Sequence, residues 1–154
     1  MKRWLIGILL IVTILVLEQP VEAANISGAS QTEQQISQGD KIAQKAFRAA
    51  QKGDFARAET YWTTLAEKFP ENPAVWSNRG NVRIGQYKLE EAIADFNRSI
   101  EIAPEYPDAY LNRGIAYEGQ RKWSQAIADY NHSLELDTQQ INVYLSRATA
   151  FLAL

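Results

Sequence analysis

Apolar and polar residues alternate along this chain with the period of an α-helix. In one stretch, apolar side chains recur at spacings of three and four residues, at Leu89, Ala92, Ile93, Phe96 and Ile100. The preceding stretch, residues 75–83, has the same spacing, and residues 86–88 separate the two. Because this pattern puts the apolar side chains on one helix face, it predicts two amphipathic helices joined by a short turn.

The helix–turn–helix unit recurs along the chain at a constant interval. Residues 73–106 and 107–140 are identical at 14 of 34 aligned positions. Residues 39–72 fit the same register more loosely, and residues 141–154 begin a further copy. Small residues repeat where two helices must approach closely, and large aromatic residues fill the adjacent positions. The small pairs are Ala46 with Ala58, Gly80 with Ala92, and Gly114 with Ala126, and the aromatic residues are Trp62, Phe96 and Tyr130.

A period of about 34 residues built in this way resembles the tetratricopeptide repeat, or TPR. The resemblance covers residues 39–154 and implies an all-α fold, an α-solenoid of tandem helix–turn–helix repeats with three full units plus a half unit. A single helix pair cannot bury its apolar stripe, so neighbouring units stack and share one core. The resemblance also implies a concave groove, lined by the first helix of each unit, that holds a segment of another protein.

The TPR resemblance further implies which side chains line this groove. The candidates for protein binding are Gln44, Phe47, Ser77, Asn78, Asn81, Ile84, Leu111, Asn112, Ile115 and Glu118, flanked by Ala43, Leu145, Ser146 and Thr149. Asn78 and Asn112 are the preferred contacts, because an amide donates and accepts hydrogen bonds and can bridge to a peptide backbone of any sequence. The alternatives are that these amides tie neighbouring helices together, and that Phe47, Leu111 and Ile115 belong to the core.

No member of the candidate set is basic. Some TPR proteins grip a C-terminal carboxylate with lysine and arginine side chains in the groove, and the composition of this set argues against that mode.

Two arginines occupy a position where TPR units often have an apolar residue. Arg79 and Arg113 are each followed 16 residues later by an aspartate, Asp95 and Asp129. This spacing predicts an ion pair between the two helices of one unit. Arg147 falls in the same register, but it has no corresponding aspartate and is expected to lack such a partner.

The first residues read as an export signal. Lys2 and Arg3 precede an uncharged apolar run from Trp4 to Leu17, and the segment ends in an A-x-A-like cleavage site at Ala23. Residues 1–23 are therefore predicted to be a signal peptide; the alternatives are an uncleaved membrane anchor and a buried helix. Residues 24–38 are polar and predict a linker, with the first repeat helix starting near Gln31, capped by Ser30, or after Asp40.

Composition excludes several kinds of chemistry. The net charge is −2 and the pI about 5.5, without a basic run that would indicate a nucleic-acid partner. There is no cysteine, and the single histidine, His132, lies on a predicted solvated helix face without a nucleophile. We therefore predict no catalytic residues, no cofactor and no metal, and no enzymatic activity.

The expected function is that of a protein–protein interaction scaffold or assembly module, exported to the periplasm, the thylakoid lumen or the extracellular space. The style of the "NRG" and "AIADYN" segments is similar to that of cyanobacterial and chloroplast TPR proteins. One alternative is an oligomeric module that associates through the apolar C-terminal segment "ATAFLAL". The other is a membrane-anchored adaptor, if residues 1–23 are retained.

Overall fold

The computed structural model describes the backbone of residues 19–154 and the side chains of residues 31–154. Within this range the chain is helical, without a strand. The helices are α1 (Gln19–Gln51), α2 (Phe55–Lys68), α3 (Pro73–Gly85), α4 (Leu89–Ile102), α5 (Pro107–Gly119), α6 (Trp123–Leu136) and α7 (Ile141–Ala153). Residues 41–154 form one compact unit, which contains the repeats, and the residues up to Asp40 form a second unit, whose described part is helical.

The helices of the repeat unit pack in the order of the sequence. The closest pairs are α3 with α4 and α5 with α6, the two helices of one repeat. Each second helix also contacts the first helix of the next repeat, and the first helices α3, α5 and α7 contact one another in turn. The predicted all-α solenoid of helix–turn–helix units is therefore confirmed.

The apolar core continues from one repeat to the next. One cluster of buried residues in α1 and α2 is completed by Val75 and Val82 of α3. A second, around Phe96 of α4, is completed by Ala116 of α5. A third, around Tyr130 of α6, is completed by Val143 and Ala150 of α7. Each repeat thus covers the apolar surface of its predecessor, as repeat stacking requires.

The aromatic rings of the second helices pack directly against the small residues of the first helices. A Cβ atom added to Gly80 would lie 2.7 Å from the Phe96 ring, and one added to Gly114 would lie 2.6 Å from the Tyr130 ring. Both rings are fully buried. The predicted role of the small residues, close approach of the two helices of a repeat, is confirmed.

The turn inside each repeat places one residue in the left-handed region. This residue is Gly53 in the first repeat, Tyr87 in the second and Arg121 in the third, with φ of 76°, 60° and 58°. The three positions are equivalent in the repeat register, so the backbone keeps the repeat even where the residue type does not. Only the first repeat uses glycine, the residue that adopts this conformation without steric cost.

Helix α1 begins earlier than predicted. It is helical from Gln19, the first described residue, so the expected start near Gln31 or after Asp40 is wrong. No proline follows Pro20 until Pro70, and the intervening glutamine, glutamate, alanine and lysine residues favour a helix. Ser30 and Asp40 lie inside the helix and not at its N-terminus.

The predicted signal peptide or anchor, residues 1–23, lies largely outside the described residues, which begin at residue 19. Among the helices that are described, none combines the length and the apolar character needed to cross a membrane.

Candidate functional site

The first helices of the repeats bring several predicted binding residues to one cavity. This cavity, the groove pocket, has a volume of about 200 Å³ and is lined by Phe47, Ala50, Phe55, Trp62, Asn78, Asn81 and Val82. Three of the candidates, Phe47, Asn78 and Asn81, therefore lie together although they come from two repeats. The pocket combines an apolar base with two side-chain amides.

The apolar base is formed by an aromatic pair. The rings of Phe47 and Trp62 meet edge to face, with centroids 5.0 Å apart and an angle of 82° between their planes. Trp62 is 3% exposed, whereas Phe47 is 49% exposed, so Phe47 presents one side of its ring to solvent. An exposed aromatic ring held by a buried one is well suited to contact an apolar side chain of a ligand.

Phe55 belongs to this pocket but was not among the predicted residues, because the prediction considered only the first helix of each repeat. Its ring lies against Gly85, where an added Cβ atom would be 2.9 Å away. The glycine at position 85 is the sequence signal for this contact, since it lets the ring of one repeat pack against the helix end of the next.

The predicted amides are available to a ligand. Asn78 and Asn112 are partly exposed and Asn81 is exposed, and within residues 31–154 none of the three makes a side-chain hydrogen bond. The alternative, that the amides of Asn78 and Asn112 tie neighbouring helices together, is therefore not observed. Each of these amides retains its full capacity to donate and accept.

Two of the candidates are buried. Ser77 is 2% exposed and Leu111 is 8% exposed, so a partner cannot reach them without rearrangement of the helices. Leu111 belongs to the cluster around Tyr130, which confirms the alternative interpretation of this residue as core. Ser77 lies near Tyr106, whose pKa is raised by burial and by the nearby charge of Asp108.

The other candidates are accessible to different degrees. Gln44 is exposed, Ile115 is 37% exposed, and Ile84 is half-buried against the cluster around Phe96. The carboxylate of Glu118 accepts a hydrogen bond of 2.7 Å from the hydroxyl of Tyr130. Burial, and then this bond to a carboxylate, raise the pKa of Tyr130, so its hydroxyl stays protonated and holds Glu118 in place.

The predicted ion pairs within the repeats are confirmed. Arg79 donates two hydrogen bonds to Asp95, at 2.9 and 2.6 Å, and Arg113 donates two to Asp129, at 2.8 and 2.7 Å. Both aspartates are buried. This bidentate geometry fixes the orientation of the two helices of a repeat.

All three arginines at this position also reach back to the preceding repeat, Arg79 through a hydrogen bond of 3.5 Å to Thr63. Arg113 donates to Asn97 at 2.7 Å, and Arg147 donates to Asn131 at 2.8 Å, in each case 16 residues earlier. As expected, Arg147 forms no ion pair within the described residues; its partner is an amide of the preceding repeat. The arginine position links two repeats as well as the two helices within one.

A second ionic network joins the first two repeats. The carboxylate of Glu59 on α2 accepts hydrogen bonds from Arg83 at 2.9 Å, Gln86 at 2.9 Å and Lys88 at 2.7 Å. Burial alone would raise the pKa of Glu59, but the three hydrogen bonds outweigh it and lower the pKa to about 2. Glu59 is therefore ionised at neutral pH and holds the end of α3 against α2.

No arrangement typical of a metal site occurs in the described residues. Within them, no group of histidine, aspartate and glutamate side chains is placed to hold a metal ion. His132 lies 3.2 Å from Glu135 and packs edge to face on Tyr110, with ring centroids 4.3 Å apart.

Models of known protein families match the most regular part of the repeat pattern within this chain. A model described as TPR repeat matches residues 86–121, and a model described as tetratricopeptide repeat matches residues 107–139. No curated protein is significantly similar to this chain.

Solved TPR domains share the fold at low sequence identity. The first TPR domain of Spaghetti (RPAP3), solved with the HSP90 peptide SRMEEVD, is 23% identical, has a TM-score of 0.72, and matches 75% of this chain and 91% of its own. The Arabidopsis OM64 TPR domain is 20% identical, with a TM-score of 0.74 and coverage of 78% and 99%. The second TPR domain of human RPAP3, in complex with the HSP70 peptide SGPTIEEVD, is 20% identical, with a TM-score of 0.71 and coverage of 76% and 98%.

The helices of residues 41–154 thus form an α-solenoid of the TPR class. Residues 86–139 match family models of the tetratricopeptide repeat.

Proposed function

We propose that this chain is a protein–protein interaction scaffold that binds a segment of a partner protein along the first helices of its repeats. The groove pocket is the observation that carries this proposal, because it joins an exposed aromatic ring, Phe47, to the amides of Asn78 and Asn81. Peptide complexes of the Spaghetti and human RPAP3 TPR domains support a peptide as the ligand.

The ligand that fits the groove pocket is an extended segment with one apolar side chain. A volume of about 200 Å³ accommodates such a side chain, while the amides can bond the peptide groups on either side of it. None of the predicted groove residues is basic. We therefore propose recognition by apolar contact and backbone hydrogen bonds instead of capture of a terminal carboxylate.

Replacing Asn78 and Asn112 with alanine should weaken capture of the partner about tenfold or more, since each lost hydrogen bond is worth about 1 kcal/mol. The experiment is chemical crosslinking in the native cell extract, followed by quantification of the crosslinked proteins by mass spectrometry. Proteins bound in the groove should be depleted with the Asn78→Ala/Asn112→Ala variant.

The matched control is Gln125→Ala/Gln139→Ala, which removes two exposed amides elsewhere on the repeats. This control should capture the same proteins as the wild type. Undiminished capture by the Asn78→Ala/Asn112→Ala variant would contradict the proposed role of the groove.

A second candidate function is self-association through α7. Its exposed apolar side chains are Ile141 (84% exposed), Leu145 (70%), Phe151 (56%) and Leu152 (91%). If this surface joins two copies, Leu145→Glu/Leu152→Glu should convert a dimer to a monomer in light scattering after size-exclusion chromatography. A wild-type chain that stays monomeric at high concentration would exclude this function.

We further propose export of the chain, with residues 1–23 removed. The support is the order of a positive start, an apolar run and small residues at the expected cleavage site. Mass spectrometry of the purified protein should find a mature N-terminus at Ala24. An intact Met1 in a membrane fraction would instead favour the anchored adaptor. The compartments to test for an exported protein are the periplasm, the thylakoid lumen and the extracellular space.

A further inference from the structure

The face of α1 that points away from the groove pocket carries a row of cations. Lys41, Lys45, Arg48 and Lys52 follow one another at spacings of four, three and four residues, and all four are exposed. At about 100° of rotation per residue, Lys41, Lys45 and Arg48 fall on one side of α1, well away from Phe47, and Lys52 follows in the turn directly after the helix. We call this row the basic stripe.

A cavity lies along the basic stripe. It has a volume of about 160 Å³ and is lined by Lys45, Arg48, Ala49, Lys52, Asp54, Arg57 and Tyr61. The positive charge of Arg57 is balanced in part by Asp54, whose Oδ2 lies 3.4 Å from Nη1 of Arg57. In the part of the chain that the structure describes, the four cations of the basic stripe form no ion pair.

In the third repeat, the residues at the equivalent positions contact the repeat that precedes it. Lys45 corresponds to Arg113, which bonds to Asn97 of the repeat before it, and Lys52 corresponds to Gln120, which bonds to Glu90 at 2.8 Å. Arg48 corresponds to Ala116, which is fully buried. In the first repeat this face therefore offers cations to solvent where the others have an interface.

The basic stripe differs from the outer face of an ordinary terminal repeat because all of its charges have the same sign. A terminal repeat needs a polar outer face for solubility, and mixed charges meet that need. Like charges at i, i+3 and i, i+4 repel each other and destabilise a helix. A row of four cations in a chain of net charge −2 thus acts against its own stability, which indicates a role in binding.

We propose that the basic stripe binds an acidic segment of a partner protein. Lys41, Lys45 and Arg48 extend over about 10 Å of helix, and Lys52 continues the row into the following turn, so successive carboxylates of a peptide can meet the cations one after another. A compact anion such as phosphate would reach only part of this row. This site is separate from the groove and does not depend on the function proposed for the groove.

The test measures fluorescence polarisation of a fluorescein-labelled hexaglutamate peptide with the full-length chain. The wild type should bind the peptide saturably, and Lys45→Glu/Lys52→Glu should weaken the binding at least about tenfold, because two attractive charges become repulsive. The matched control is Arg121→Glu/Lys122→Glu, which changes the net charge equally at an exposed turn and should alter binding less than about twofold. Circular dichroism establishes that all three proteins are folded.

Three comparisons separate this proposal from other anions and from the groove. Sodium phosphate should displace the peptide no better than sodium chloride of equal ionic strength. Vesicles with phosphatidylserine should bind the wild type and the Lys45→Glu/Lys52→Glu variant equally, and Asn78→Ala/Asn112→Ala should bind the peptide normally. The proposal is overturned if the wild type does not bind the peptide, or if the control variant loses as much binding as Lys45→Glu/Lys52→Glu. It is also overturned if phosphate displaces the peptide specifically, or if vesicle binding depends on Lys45 and Lys52. Loss of peptide binding in Asn78→Ala/Asn112→Ala would overturn it as well.

Discussion

Replacing Asp95 with alanine should lower the free energy of unfolding by about 3–5 kcal/mol, the usual cost of removing one partner from a buried ion pair. Asp95 is 2% exposed and accepts hydrogen bonds from Arg79 at 2.9 and 2.6 Å and from Arg83 at 2.9 Å. Its removal leaves the guanidinium group of Arg79 in a shielded environment without its carboxylate, while Arg83 keeps Glu59. Urea denaturation followed by far-UV circular dichroism measures the change.

Two further variants test this explanation. Asp129→Ala removes a carboxylate with a single arginine partner, since Tyr117 stands at the position of Arg83, so its effect should be smaller than that of Asp95→Ala. Glu67→Ala, on the exposed face of α2, should change the free energy of unfolding by less than about 0.5 kcal/mol. Equal effects of Asp95→Ala and Glu67→Ala would contradict a structural role for the buried pair.

The fold was predictable because its determinants repeat. Gly80 and Gly114 lie against Phe96 and Tyr130 in the same geometry, and in the sequence each pair occupies the same two positions of its repeat. A feature that recurs with the period of the repeat identifies both the helix pair and its contact. The Arg79–Asp95 and Arg113–Asp129 pairs were predicted from the same regularity.

The candidate site was less predictable because it depends on where the repeats differ. Ser77 and Leu111 occupy equivalent positions, and neighbouring helices bury both. The groove pocket needs Phe47 and Phe55, and no aromatic residue replaces Phe47 in the later repeats. A register carried over from the TPR family gives the direction of a side chain, but its exposure is decided by the packing of the repeats that flank it.

The start of α1 and the environment of Glu59 show a second reason why parts of the structure could not be predicted from the sequence. Ser30 and Asp40 have the residue types of helix N-caps, but a cap forms only where the helix begins, and the chain continues helically through both. Glu59 meets partners 24 to 29 residues away, on the next repeat. These contacts leave no periodic signal in the sequence, because the equivalent positions in the second and third repeats hold isoleucine, Ile93 and Ile127.

Replacing Glu59 with glutamine should lower the free energy of unfolding at pH 7 by roughly 2 kcal/mol, and the loss should vanish as the pH falls. The pKa of Glu59 is lowered in the folded chain from 4.5 to about 2, so its ionised form stabilises the fold fully above pH 4.5, and this contribution disappears as the pH approaches 2. Glutamine keeps the shape but has no charge for Arg83 and Lys88. Urea denaturation at a series of pH values measures the free energy of unfolding, and the values for the wild type and Glu59→Gln should converge in acid. The control is Glu91→Gln, because the exposed carboxylate of Glu91 lies 3.6 Å from Arg83. Its free energy of unfolding should stay within about 1 kcal/mol of the wild type at every pH. A difference between the wild type and Glu59→Gln that stays constant with pH would show that the hydrogen bonds, and not the charge of Glu59, join the first two repeats.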